Sequence, residues 1–344
     1  MDMTRTIRRT MAAMLAFLMA VCCCVPCVTV FAKSSSGYKQ AGDLSTVFGG
    51  GSNSASDNYF GNIAYNVKSD ENTMDSSKFY NQAAYDALMK DVDKFLADAP
   101  KNGSDYDKEK FVYDKIATTC TYKTDGYAAA ADKGSVQAIL YDHGGICSDF
   151  AYAFMHFCNK LNINCWQIDG TLGGGPHAFN IVELDGKHYI TDVTSALSGK
   201  EDVSPDYSYM NMSKRQAQRL GYEQADYDKE WVDWSDCKYD DQDYFKKNNL
   251  YFTSYEAMKT ALPAIIAKAN NDGNPVVRVE FPQNTTGDAI AKSADSKLFA
   301  GGDMGDVLKK ANLLTPYPVQ VKTSYGANHN YMSFPISSSH VPEV

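Results

Sequence analysis

Apolar positions follow three different rhythms along this chain of 344 residues. From Met11 to Ala32 they run almost unbroken. From Lys78 to Ala97 they fall at Phe79, Ala83, Leu88, Val92 and Phe95, at steps of three to five residues, which predicts a helix with one apolar face. Pro100 and Gly103 end it, and a second helix is expected from Tyr106 to Thr119, with Phe111, Val112 and Ile116 inward and Ser104 as N-cap. A short helix at Val136–Asp142 follows Ser135. After Gly144-Gly145-Ile146-Cys147 the aromatic residues Phe150, Phe154 and Phe157, with Leu161, sit at i, i+4, i+7 and i+11, again a helix. The rhythm then changes to strand-like runs at Cys165–Asp169, His177–Leu184 and Lys187–Val193.

The last two runs are joined by Asp185-Gly186, a two-residue hairpin signal. That turn sets a register in which Leu184 faces Lys187, Glu183 faces His188 as an opposite-charge pair, Ile181 faces Ile190 and Phe179 faces Asp192. His177, Phe179, Ile181, Ile190 and Asp192 then share one side of the sheet. His177 and Asp192 become diagonal neighbours, about 7–8 Å apart at Cα and within reach of a side-chain hydrogen bond. A slip of one residue would put them on opposite sides.

Beyond Asp192 the pattern turns loop-rich, with a helix at Ser213–Leu220 and an Asp/Tyr-rich stretch over 226–244. Residues 249–337 read as a separate small α/β unit: a helix near Tyr255–Ala269, a strand at Val276–Phe281, a helix at Asp303–Leu313, and strands near Val319–Thr323 and Tyr331–Pro335 around Gly326-Ala327-Asn328. Residues 338–344 form a tail. The expected division is a signal at 1–32, a Ser/Gly/Asn-rich tether at 33–75 that includes the GGGS of 49–52, a catalytic domain at 76–248 and the C-terminal unit.

The signal assignment rests on Arg5, Arg8 and Arg9 ahead of the 22-residue apolar run and on Val30-Phe31-Ala32 as a small-residue cleavage site. An uncleaved membrane anchor is the alternative, since a run of this length just spans a bilayer. A lipoprotein is disfavoured because Cys22 follows Val21. Either form puts the rest of the chain outside the cytoplasm, at the cell surface or secreted, with the membrane touched only by this first segment. Three of the 33 basic and one of the 42 acidic residues lie there, so the remainder carries 30 against 41, a net charge of −11. Such a chain lacks the cations to pair with nucleic-acid phosphate. Of nine cysteines, Cys22, Cys23, Cys24 and Cys27 fall in the signal, leaving Cys120, Cys147, Cys158, Cys165 and Cys237. An odd number leaves at least one thiol unpaired within the chain. Their spacings fit no zinc pattern, and neither a cofactor nor a metal is expected.

Cys147 is the thiol placed for chemistry. A thiol attacks as thiolate, a form favoured at a helix N-terminus and beside an imidazolium. His177 is placed to take or share its proton, and Asp192 to hold the imidazole in the useful tautomer. The Cys147 backbone N–H is a candidate donor to an oxyanion, and Gly144 and Gly145 would let a substrate backbone approach. Gly145-Ile146-Cys147 at a helix start, Gly170, His177-Ala178-Phe179-Asn180 and Tyr189-Ile190-Thr191-Asp192 resemble, in this order, the core of the transglutaminase-like superfamily. The match runs from the Tyr106 helix to Thr194, about 100 residues. The resemblance implies an α+β, papain-like fold with the cysteine at a helix N-terminus against an antiparallel sheet. It also implies a catalytic triad of Cys147, His177 and Asp192 acting on peptide or protein amides. Phe179 stands where the family usually has Trp. That family holds cross-linking transglutaminases, peptidases and inactive members, so water and amine stay open as acyl acceptors, and hydrolysis is favoured because nothing specifies an amine site.

Other signals read more plainly. Cys158 and Cys165 are core positions, and a Cys120–Cys237 disulfide is open but unsupported. The 173–175 glycine loop lacks the Lys-Ser/Thr of a phosphate cradle. Asp236, Asp240, Asp241 and Asp243 read as a solvated acidic surface rather than a calcium loop. Tyr141 is one candidate for a second oxyanion donor. Trp166, Trp231 and Trp234 read as packing residues. The alternatives to an acyl-transfer enzyme are an inactive transglutaminase-like binding module, its C-terminal unit on a wall polymer or protein, and a zinc hydrolase.

Overall fold

The structure, a computed structural model, describes residues 82–123, 135–197, 205–226, 232–272, 276–312, 322–324 and 330–335. The signal, the tether and the C-terminal tail expected from the sequence lie outside these residues, as do Trp231 and the Gly326-Ala327-Asn328 turn.

Helices α1 (Gln82–Phe95) and α2 (Asp105–Thr119) come first. Ser104 caps α2: its Oγ accepts the Asp107 N–H at 3.2 Å, while Asp107 Oδ2 accepts the Ser104 N–H at 3.0 Å. A two-residue strand β1 (Thr121–Tyr122), helix α3 (Ser135–Tyr141) and strand β2 (Gly144–Gly145) lead into α4 (Cys147–Lys160). Helix α4 is the axis of the main core. Phe150, Phe154 and Phe157 are fully buried, and around them pack Val112, Tyr113 and Ile116 of α2, Ile139 of α3, and Val182 and Tyr189 of the sheet. Three buried phenylalanines on one helix bury several hundred Å² of apolar surface, enough to fix its axis against the sheet.

That sheet contains β3 (Cys165–Leu172), β4 (Gly175–Leu184), β5 (Lys187–Thr191) and, after helix α5 (Lys214–Arg219), β6 (Tyr222–Gln224). The order is β5-β4-β3-β6, antiparallel throughout. Asp185 and Gly186 both have positive φ, +51° and +71°, as a tight primed hairpin turn requires. The pairs Leu184–Lys187, Glu183–His188 and Ile181–Ile190 follow from that turn. Glu183 and His188 face each other but do not form the expected ion pair. Glu183 Oε2 accepts from the Asn164 amide at 2.9 Å, and His188 meets the Trp166 ring edge-on at 5.5 Å. Side-chain alternation splits the sheet between two cores: Val182, Leu184 and Tyr189 join the α4 core, whereas Phe179, Ile181 and Ile190 join a smaller one with Ile168, Met212, Tyr222 and Trp234. Asn180 ties the layers, donating from Nδ2 to the Ala151 carbonyl of α4 at 2.9 Å.

After α6 (Tyr244–Lys247) the chain builds a third core from α7 (Tyr255–Asn271), β7 (Val276–Glu280), α8 (Thr285–Asp295), α9 (Asp303–Lys310) and the strands β8 (Lys322–Ser324) and β9 (Tyr331–Pro335). Its sheet runs β7-β9-β8, antiparallel. Leu250 packs against both this core and the α4 core, and the Phe252 and Glu280 N–H groups donate to the Glu280 and Leu250 carbonyls, each at 2.9 Å. Helix α8 has no counterpart among the sequence expectations. Its buried face is built from Gly287, Ala291 and Ala294, which give a weak apolar signal. A Cβ on Gly287 would lie 1.6 Å from the Pro282 carbonyl oxygen, so the helix start fits only glycine.

Candidate active site

Cys147 is the first residue of α4, where the leading N–H groups have no intrahelical acceptors. Ile146 precedes it, and Asp149 Oδ2 accepts the Ile146 N–H at 2.9 Å. Ser135 donates to the other Asp149 oxygen at 2.7 Å, so α3 and the start of α4 are locked together. Burial pushes the Asp149 carboxyl up, partly offset by these two bonds.

The preceding glycines have a role that differs from the sequence expectation. Gly144 and Gly145 pair with Thr121 and Tyr122, and the Thr121 and Lys123 N–H groups donate to His143 and Gly145 carbonyls at 3.0 and 2.9 Å. A Cβ on Gly144 would lie 2.2 Å from the Thr121 carbonyl oxygen, and one on Gly145 2.6 Å from Asp149 Oδ2. The chain's own segment, not a substrate backbone, takes up the close approach that these glycines permit.

His177 lies on β4 and Asp192 one residue past β5. Imidazole Nε2 is 2.8 Å from Asp192 Oδ2. The structure brings His177 and Asp192 into contact, and the Cys147 thiol lies near enough to add to the upward push on the His177 pKa. Burial alone would push the His177 pKa down. The Asp192 carboxylate and its hydrogen bond, with the Cys147 contact, outweigh burial and raise it to about 10. Asp192 is 1% exposed, yet its carboxyl is held below its usual range, because bonds from His177, Ser195 and Tyr222 outweigh desolvation. At neutral pH the pair is imidazolium and carboxylate.

Four donors besides His177 hold Asp192. Oδ1 accepts the Thr194 and Ser195 N–H groups at 2.9 and 3.2 Å, and Oδ2 accepts the Ser195 and Tyr222 hydroxyls, each at 2.6 Å. Tyr222 also stands against the His177 and Phe179 rings, with centroids 5.9 and 5.3 Å away. Tyr222 and Ser195 have no sequence signature. Strand β6 is only three residues long, too short for a period, and Ser195 acts from within a turn. Gly170 is the one legible trace of β6. It pairs with His177 on one side and Gln224 on the other, and a Cβ there would lie 1.9 Å from the Glu223 carbonyl oxygen. Gly170→Ala must push β6, and Tyr222 with it, off the sheet. The expected cost is about 1–3 kcal/mol, read as a lower denaturant midpoint. An unchanged midpoint would contradict this packing argument.

Beneath the site, Glu109 of α2 is fully buried. Its two oxygens accept from the Thr191 hydroxyl at 3.0 Å and the Asn211 amide at 2.7 Å. Burial raises its pKa to about 7 despite these bonds, which pull the other way. Between the ordinary carboxylate range and about 7 the folded chain holds a proton that the unfolded chain has released. Stability should therefore fall as pH rises through that window and level off above it. Glu109→Gln should remove this slope, at most about 1.4 kcal/mol per pH unit, in urea melts from pH 4.5 to 7.5. An identical slope in the variant would contradict the assignment.

The other described thiols are poor nucleophiles. Cys120, Cys158, Cys165 and Cys237 are buried, while Cys147 is partly exposed, and none of the five is in a disulfide, so the Cys120–Cys237 pairing does not form. Burial pushes Cys120 and Cys158 up and Cys237 to about 12. Tyr141 is half-exposed and its hydroxyl proton goes to Asp91 at 2.7 Å, so it does not serve as an oxyanion donor in this state. Asp240 pairs with Lys246, Asp241 with Lys187 and Tyr189, and Asp243 caps α6. Among the described residues no three or more His, Cys, Asp or Glu side chains are grouped to hold a metal ion.

No protein-family model matches the sequence, and no curated protein matches it. Two solved structures are similar in part. One is of a candidate cysteine protease from Cytophaga hutchinsonii, at 18% identity and a TM-score of 0.28, over 40% of each chain. The other is of a TGase, a transglutaminase, at 20% identity and a TM-score of 0.31, over 39% of this chain and 37% of that one. The chain thus aligns with about two fifths of the length of either neighbour.

Proposed function

We propose that the chain is an exported acyl-transfer enzyme of the transglutaminase-like, papain-like kind, with Cys147 as nucleophile, His177 as general acid and base, and Asp192 as the group that orients the imidazole. The observation that carries this reading is the contact of His177 Nε2 with the buried Asp192 Oδ2 at 2.8 Å, with Cys147 at the first position of α4 and adding to the rise of the His177 pKa. A raised imidazole pKa means that His177 keeps a proton at neutral pH, the state that pairs with a thiolate. The thiolate attacks an amide carbonyl carbon of a peptide or protein. As the tetrahedral intermediate collapses, the C–N bond breaks, the amine leaves with the His177 proton, and a thioester remains on Cys147. The Cys147 N–H at the helix start is placed to bind the oxyanion. Neutral His177 then takes a proton from the acceptor as that acceptor attacks the thioester, the C–S bond breaks, and the thiolate is restored beside the imidazolium. Water as acceptor gives hydrolysis, which we favour, and a primary amine gives cross-linking.

The test is acid quenching of the protein with a set of peptide amides, followed by mass spectrometry of the peptide that bears Cys147. An acyl adduct of one substrate fragment supports the reading, and added alkyl amine shows whether it is transferred or hydrolysed. Absence of any adduct, with intact peptides throughout, would favour the inactive binding module.

A further inference from the structure

The loop behind Asp192 is gripped from outside its own unit. Arg278 of β7, in the third core, places its guanidinium 2.7 Å from Asp206 Oδ1; its side chain is 11% exposed and that of Asp206 28%. Asp206 is a junction. Its N–H donates to the Ala196 carbonyl at 3.1 Å, its carbonyl accepts the buried Tyr113 hydroxyl at 2.6 Å, and Oδ1 also caps the short turn Tyr207–Tyr209 at the Ser208 N–H. Two of these contacts lead to Asp192. Ala196 belongs to the turn whose Thr194 and Ser195 N–H groups hold Asp192 Oδ1. Tyr209, at the far end of the short turn, offers its carbonyl to the Asp192 N–H at 2.9 Å. Next along, Met212 and Ile190 exchange N–H···O bonds at 2.7 and 2.8 Å, closing the frame on β5.

We propose that the third core is an intramolecular brace for the active site, in which Arg278 is a positioning residue that fixes Asp192 through Asp206. The brace rests on the catalytic reading above and assigns residues 250–335 a task within that site rather than a ligand of their own. A largely buried Arg–carboxylate pair holds position well because burial leaves both partners few alternative conformations, and removing Arg278 takes from Asp206 the charge that holds it. A loosened Asp192 would let the imidazole tilt, and sub-ångström to ångström shifts in a catalytic group are costly.

The experiment compares wild type, Arg278→Gln and Asp206→Asn as full chains, the last keeping an acceptor for the Ser208 N–H. Iodoacetamide labelling of Cys147 is followed from pH 5 to 11 beside thermal melts. The brace requires roughly a three- to tenfold slower labelling rate in both variants at neutral pH, and an acid limb of the labelling profile displaced toward higher pH, with cooperative melting retained. Arg278→Lys, which keeps the charge but loses the fork, should fall between wild type and Arg278→Gln. If wild type labels fast and both variants match it, the brace is wrong while the active-site reading stands. If the variants melt earlier but keep the wild-type rate and pH limit, Arg278 is structural only and the brace is likewise wrong. If wild type itself labels no faster than free cysteine, the active-site reading fails and the brace with it.

Discussion

Asp192→Asn will leave a folded protein whose turnover on a peptide amide is lower by about two to four orders of magnitude. Asparagine is nearly the same size, and its oxygen can still accept from Ser195 and Tyr222. The charge that raises the His177 pKa is gone, and the amide cannot specify the tautomer as a carboxylate does. The pH profile is the sharper reading. With the His177 pKa raised to about 10, the imidazolium is lost, and activity falls with it, only as pH climbs toward that value. In the variant this limit should move down toward the ordinary histidine range near 6.5. Equal profiles for wild type and variant would mean that Asp192 does not set the protonation of His177. The same logic gives the sign for stability. A histidine pKa raised on folding stabilises below its unfolded value of about 6.5, and this contribution is lost as pH rises through the folded value.

Cys147→Ala removes the proposed nucleophile and is expected to lower turnover by roughly three to six orders of magnitude, to the background that oxyanion and binding groups sustain alone. No buried thiol can substitute for it. Cys158 and Cys237 are sealed in the cores with pKa values pushed upward, and Cys120, buried at the turn of α2 into β1, turns its thiol to the Ile139 carbonyl of α3. The variant should melt close to wild type, since Cys147 is partly exposed and its backbone role at the start of α4 does not depend on sulfur. Peptide-amide cleavage and amine incorporation should be lost together, because both pass through one thioester. Loss of only one would show that the two activities do not share this sulfur.

Much of the site was readable because it hangs on one turn. Asp185-Gly186 requires two positive φ values in succession, and that fixes which residues of β4 face which residues of β5. From there the nearness of His177 and Asp192 is arithmetic. The α4 helix was equally plain, because three phenylalanines at helical spacing cannot all be satisfied by a strand. What stayed hidden depends on contacts that sequence spacing does not encode. Tyr222 reaches Asp192 from a strand of three residues and Ser195 from a turn, and Arg278 reaches Asp206 from more than seventy positions along the chain. Gly144 and Gly145 show the opposite failure. Their need for close approach was legible, but the Thr121 carbonyl of β1 approaches Gly144 and the Asp149 carboxyl approaches Gly145, and nothing local distinguishes the chain's own atoms from a substrate. Helix α8 was missed because alanines fill its buried face.

The proposed chemistry needs Cys147 and His177 to form a reactive thiolate–imidazolium pair. The most direct measurement is the rate of Cys147 alkylation by iodoacetamide at pH 6, in native full-length protein, set against free cysteine and against His177→Gln. The account requires native Cys147 to react on the order of tenfold or more faster than free cysteine at that pH, and His177→Gln to lose the advantage. Reaction at the free-cysteine rate, unchanged by His177→Gln, would contradict it.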